Sequence, residues 1–509
     1  VIRYLYILLT TVMIGCEVLS SEFTSKNELK EENYSDQRKE LRRRDNNSSF
    51  DASVKLTDRE HQANAKLISL RDSLLQAYEK AQYFPPAKDF FKSREHIQTT
   101  KLYGLLKQMP KGGFLHMHAS AVKDFHWLID KVITLPEMYV HWRSDNEQYL
   151  KGELRAFNEG EEPAGFVNVA ELATSEESFR EKMYELLTLA PETDKDTIDI
   201  WTEFDKIFQR IGGAYAYEPI FKEFHKVLFL SLLDDNIQHV ELRQIMFDGL
   251  YDLAHETGYY NEDSIVRIFK KLEIEIQEDH PQFSLKLIYT DLRFRSREAI
   301  ANSFANAYAL RARYPEIVKG FDLVSEEDAG NSTLYYLDAW LKADSLEHVY
   351  GIDMPFYFHD GESNWYSNTN LYDAILLGSK RIGHGINLAF FPSLIDEVVA
   401  RDICLEVSPI SNQVLGYVED LRVHPANSLI RQGVQITISS DDPAIYQYEG
   451  LTHDYWSVLL AWQLDLRSLK KLSMNGVLYS ALSDREKSDA LEFWQNEWDE
   501  FVNLLIDEI

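Results

Sequence analysis

The chain has 509 residues, 45% of them hydrophobic, which is enough for one catalytic-sized domain with additions. Lys and Arg total 53 against 83 Asp and Glu, a formal net charge of -30. A surface of that sign repels phosphate backbones and anionic lipids, so neither nucleic-acid nor membrane-surface binding is expected, and a neutral or cationic small substrate suits it.

Arg3 precedes an apolar run from Tyr4 to Ile14 and then small and polar residues through Ser21, the layout of a secretory signal peptide over 1–21. Secretion makes the sequons at Asn33, Asn46, Asn47 and Asn331 glycosylation candidates. Cys16 lies in that leader and Cys404 is the other cysteine, so a metal would have to be held by His and carboxylate. Residues 22–56 are polar and charged and read as a flexible N-terminus. Thr57 and Glu60 have capping-box spacing ahead of the stripe Leu67, Leu70, Leu74, Tyr78 and Ala81, and Pro85 and Pro86 stop that helix. A second helix is predicted through Phe90, Phe91 and Ile97 toward Leu106. Residues 57–110 therefore form a helical arm, whose stripe must be covered by the parent domain or by a partner subunit.

The run Gly113 to Ser120 reads as a buried strand carrying His116 and His118 on one face, where both imidazoles can meet one ion. Seven further strand-like runs follow: His239–Ile245, Leu285–Thr290, Val318–Val324, Met354–His359, Arg381–Asn387, Ile403–Pro409 and Val434–Ser440. Helical segments such as Arg297–Tyr314 and Asn331–Val349 lie between them, so the expected fold is an α/β protein with a closed (β/α)8 barrel over 111–509. Polar residues gather at the strand ends, where such barrels do chemistry: His116, His118, Glu241, Arg243, Asp291, Arg293, Glu326, His359, His384, Ser408, Asp441 and Asp442. The first interval is several times the roughly 30 residues of one βα unit, which implies an insertion lobe over 132–189. Trp201, Phe204 and Phe208 recur at helical spacing; a packed stripe is the default, and Trp201 is also a candidate substrate contact. Ser483 and Glu486 cap a last helix with the stripe Leu491, Trp494, Trp498, Val502 and Leu505. No P-loop or GxGxxG pattern occurs.

A hydrolytic zinc site needs three or four N/O ligands, room for water and a nearby base. His359-Asp360-Gly361-Glu362 offers a third histidine and a carboxylate, although Glu362 could equally be an acid favoured in a first helical turn. In Arg381-Ile382-Gly383-His384-Gly385 the flanking glycines let a ligand approach, and His384 could polarise the attacking water or stabilise developing charge. Asp441 and Asp442 before Pro443 could be an ordinary N-cap, yet two acids exceed what a cap needs. One could ligate a metal while its neighbour holds a substrate ring nitrogen.

These four motifs together resemble the adenosine deaminase family, and the leader, arm and insertion are similar to its secreted, growth-factor-related branch. The resemblance implies hydrolytic deamination of adenosine or 2′-deoxyadenosine, with one Zn²⁺ on His116, His118, His359 and Asp441. It also implies Glu362 as proton shuttle, His384 orienting the attacking hydroxide and Asp442 on the purine. A homodimer through the arm, and receptor or glycan binding by the lobe, are implied as well. Two positions depart from the family pattern: Ser325 stands where a purine-contacting glycine is usual, and Ala119 and Ser120 stand where an acid often holds the ribose.

Overall fold

A computed structural model describes residues 31–189, 199–246 and 249–509. The leader expected over 1–21 lies outside them. The stretch expected to be flexible over 22–56 is corrected where it is described: Glu31–Ser48 is an α-helix and the turn after it is anchored. Ion pairs from Glu40 to Arg43 and Arg44 staple the helix at local spacing. Phe50 is buried with its N–H on the Ile430 carbonyl, and Asp51 accepts from Ser468 Oγ at 2.7 Å. Low hydrophobicity hid an element that needs only one aromatic anchor to dock.

The arm begins with the helix Asp58–Ala81, and its Thr57–Glu60 capping box forms. Two shorter helices follow, Phe90–Gln98 and Lys101–Lys107, because Thr99 and Thr100 interrupt the expected single helix and Thr100 caps the second piece. The stripe of the first helix is covered by the same chain. Ala63 and Leu67 are buried where the helix packs on Leu466–Leu478 and Asp484–Glu508, and Glu60 accepts from Lys470 Nζ at 2.6 Å and Trp498 Nε1 at 2.8 Å.

Barrel strand β1 (Gly112–His118) comes next, followed by the lobe strands β2 (Met138–His141), β3 (Leu154–Ala156) and β4 (Phe166–Asn168), which form an antiparallel sheet in the order β3-β2-β4. The helices Val169–Ser175 and Phe179–Leu187 complete that insertion. After β5 (Ile237–Ile245) a hairpin of β6 (Leu250–Asp252) and β7 (His255–Tyr260) projects, and the barrel resumes with β8 (Ser284–Leu292) and β9 (Val318–Val324). The second half is β10 (His359–Asp360), β11 (Arg381–His384), β12 (Cys404–Val407) and β13 (Ile436–Ile438).

A barrel strand stands at each of the eight predicted places, although Met354–His359 is reduced to the pair His359–Asp360, and they form two parallel four-stranded sheets, β1-β5-β8-β9 and β10-β11-β12-β13. Single parallel bridges join the sheets, Phe321 to Phe356 on one side and Met117 to Asp441 on the other. The second closure matters for chemistry, because it lays Asp441 beside the histidines of β1.

Candidate metal and catalytic centre

The closing bridge brings Asp441 Oδ1 within 3.1 Å of His116 Nε2 and 3.0 Å of His118 Nε2. His359, at the start of the short β10, completes a set of four ligand atoms that all lie within 4.8 Å of one another. The arrangement is held from behind. His116 Nδ1–H donates to Glu406 at 2.8 Å, and Asp322 takes both the His359 N–H at 2.9 Å and Nδ1–H at 2.8 Å. Each ring is thereby fixed with Nε2 facing the mouth, the orientation that outer carboxylates impose on metal-binding histidines. His359 Nε2 is buried without a partner.

Those carboxylates belong to a buried ionic chain. Arg243 bridges Asp322 at 2.6 Å and Glu406 at 2.5 Å, while Arg381 bridges Glu406 at 2.5 Å and Glu241 at 2.6 Å. Glu241 is a correction to the expected mouth. It lies mid-strand, bonded to Arg381, His239 and the Ala481 N–H, and it does not line the cavity. Asp291 pairs with Arg295, and Arg293 donates to the carbonyls of Leu323, Asn331 and His359, so both brace loops.

Glu362 stands at the mouth with Oε1 buried and unpartnered, 3.6 Å from His384 Nδ1. Its loop is pinned by Glu327, which accepts from the N–H groups of Gly361 at 2.9 Å and Glu362 at 2.7 Å. The glycines around His384 are explained by crowding: a Cβ at Gly383 would lie 2.9 Å from the His116 ring, and Gly385 has φ +62°. His384, Asp441 and Ser325 themselves have φ of 59°, 66° and 90°, a conformation that costs energy for residues with side chains and collects at functional sites.

Burial, then the charges of Asp441 and Glu327, push the Glu362 carboxyl well above its ordinary range. Asp442 is also raised well above it, by burial and then by Asp441. Asp441 goes well below: burial opposes this, but hydrogen bonds from His116 and His118 prevail. Burial lowers His118, drops His359 well below its ordinary value and takes His384 down to about 3. His116 alone is raised, since Asp441 and Glu406 outweigh its burial and the Arg243 charge.

His118, His359, Glu362, Asp441 and Asp442 open into a cavity of about 780 Å³, also lined by Ala119, Ser120, Trp201, Phe204 and Ser325, with His116 buried beneath it. Trp201 is thus both a packed stripe residue and part of the cavity wall. Sequence reasoning missed Asp322, Glu327, Glu406 and Asn412. A charge inside a buried apolar strand run, as at Asp322 and Glu406, was the available signal for two of them.

The chain matches the family Adenosine deaminase over residues 258–494 and the family Adenosine/AMP deaminase N-terminal over residues 8–106. It is 31% identical over 480 residues to adenosine deaminase 2 of Dictyostelium discoideum, covering 93% of this chain and 88% of that one. With adenosine deaminase 2 of Homo sapiens it shares 31% identity over 463 residues, covering 88% and 89%. Among solved structures it resembles an amidohydrolase from Burkhoderia ambifaria with bound Zn, at TM-score 0.54 and 14% identity over 80% of this chain and 95% of that one, a likeness of fold. Identity sustained over most of the chain, on a barrel of this topology, shows that the chain belongs to the adenosine deaminase family, as an adenosine deaminase 2-like member.

Proposed function

We propose that the protein is an extracellular, zinc-dependent enzyme that hydrolyses adenosine to inosine, and 2′-deoxyadenosine to 2′-deoxyinosine, releasing ammonia. The observation that carries this reading is the meeting of His116, His118, His359 and Asp441 with the unpartnered Glu362 carboxyl at one buried mouth. The residues fit a divalent cation. Three imidazoles and one carboxylate are a zinc donor set, His359 Nε2 lacks a partner, and the amidohydrolase of the same fold holds Zn. Arg243 and Arg381 already bracket Asp322, Glu406 and Glu241 behind the histidines, whereas the ion pairs of Asp441 are with His116, His118 and His384, which leaves its carboxylate suited to a cation. When bound, it supplies Lewis-acid activation of water.

The chain's own groups do the rest. Glu362, raised toward its protonated form, exchanges a proton with the attacking water and the purine ring, because no other residue holds its Oε1. Asp442, also raised and with Oδ1 free, donates to a ring nitrogen. Ser325 and Trp201 line the space for the base. A neutral nucleoside suits the wall better than a nucleotide: among the described residues the cavity's cations are Lys206, paired with Glu203 at 2.7 Å, and Arg243, buried between two carboxylates.

Secretion is supported by the apolar run Tyr4 to Ile14 and by the sequons. Asn33, Asn46 and Asn47 lie on an exposed helix, whereas the Asn331 amide donates to Tyr336 at 3.0 Å. No helix among the described residues is long and apolar enough to cross a membrane. A homodimer through the arm would use its outward face, since the inward stripe is covered, and a receptor or glycan would meet the lobe. The test is to strip the purified protein with a chelator and restore zinc. Conversion of adenosine to inosine should vanish and return, with about one zinc per chain; turnover that survives chelation would overturn the reading.

A further inference from the structure

Resting on that reading, the remaining choice at His384 is which ring nitrogen carries its proton, since this decides whether it gives or takes a proton at the mouth. A chain of buried groups behind it settles the matter from a backbone donor. The Ala426 N–H donates to His424 Nδ1 at 3.1 Å, so that nitrogen is an acceptor and the His424 proton sits on Nε2. His424 Nε2 lies 3.1 Å from the Asn412 side chain, which must therefore turn its carbonyl oxygen that way. The Asn412 amide then faces His384 Nδ1, at 3.2 Å, and donates to it. Glu362 Oε1 also faces this nitrogen but at 3.6 Å is outside hydrogen-bond distance, so the amide decides: His384 Nδ1 is left as an acceptor, and its proton is on Nε2.

All three side chains are buried, and the Asn412 backbone is fixed by its N–H on the Ser408 carbonyl and by the N–H groups of Tyr417 and Val418 on its own carbonyl. At the far end, His384 Nε2 is buried without a hydrogen-bond partner, 3.9 Å from Asp441 Oδ2. We infer that His424 and Asn412 are positioning residues that lock His384 as an Nε2–H donor aimed at the oxygen that adds to the purine. His384 is then a fixed hydrogen-bond donor, and proton transfer falls to Glu362. Preorganised donors of this kind act where charge develops in a water-poor site, and a wrong histidine tautomer is costly in hydrolases.

The experiment uses the zinc-loaded full chain and three variants. Asn412→Asp puts an acceptor against Nδ1 and moves the His384 proton there. It should lower kcat on adenosine by about 100-fold or more while KM and bound zinc stay within about threefold. Long-range ¹⁵N–¹H spectra of ¹⁵N-histidine-labelled protein, with His384 assigned through His384→Gln, should show Nε2 protonated in the native chain and Nδ1 protonated in Asn412→Asp. Should that variant not fold, His424→Gln keeps a donor to Asn412 and should retain kcat within about threefold, whereas His424→Leu should lose about tenfold. A native His384 protonated on Nδ1, Asn412→Asp turning over at the native rate, or equal losses in His424→Gln and His424→Leu would overturn the inference. The tautomer is read without substrate, so a native chain that failed to deaminate adenosine would defeat the proposed function and leave this test standing.

Discussion

At His116 and His359 the decisive atoms are the ring nitrogens that face away from the mouth, each bound to a carboxylate at 2.8 Å. Glu406 also receives both guanidiniums of the buried chain, so its charge is held in place whether or not an ion is bound. Replacing it with Gln keeps the shape and one acceptor but leaves Arg243 and Arg381 short of charge, and it loosens the His116 ring. Glu406→Gln should weaken zinc by about 10- to 100-fold in chelator competition; an affinity equal to the native chain's would show that Glu406 does not orient His116. The cluster of His116, His118, His359 and Asp441 was legible in the sequence because polar residues stand together at the ends of several strand-like runs, although the histidine pair alone is a weak signal. Their supports were not, because Asp322 and Glu406 sit inside strands, where sequence gives no indication of which residue across the barrel each one meets.

The strands are legible for a simple reason: parallel strands covered on both faces are buried along nearly their whole length, as β1, β5, β8 and β9 are, and apolar residues recur along them even in β5, which also carries buried His239, Glu241 and Arg243. Strand β10 shows the limit, with the run Met354–His359 reduced to a bridge at Phe356 and the pair His359–Asp360. The arm was read as a helix, but its covering surface came from residues some 400 positions away, such as Lys470 and Trp498. Leu67→Ala should therefore cost about 2–5 kcal/mol in thermal or denaturant unfolding, by the same amount at high and low protein concentration. A loss that grew on dilution would place the stripe in a subunit interface instead. The last helix gives a pH test. Burial raises Glu486, but Lys286 at 2.8 Å and the Ser483 cap lower it further, to about 2. A carboxyl depressed on folding stabilises above its unfolded value near 4.3, and that contribution fades as pH falls toward 2. Because the group is partly exposed, Glu486→Gln should cost about 1 kcal/mol at pH 7, and the gap to the native chain should close between about pH 4.5 and 2; a gap that widened in acid would contradict the assignment.

Across the whole molecule, charge is sorted by depth. The chain carries an acid excess, a net charge of -30, while the barrel interior holds arginines bracketed by carboxylates and ends in a mouth where Asp441 meets histidines. An anionic exterior is compatible with the neutral nucleoside proposed as substrate. The most direct test is the ultraviolet change from adenosine to inosine, followed with the native chain and with Glu362→Gln after both are shown to hold equal zinc. The native chain should turn over, and the variant should fall by about 10²- to 10⁴-fold with its zinc unchanged. A native chain that holds zinc but makes no inosine, or a variant that keeps the native rate, would contradict the account.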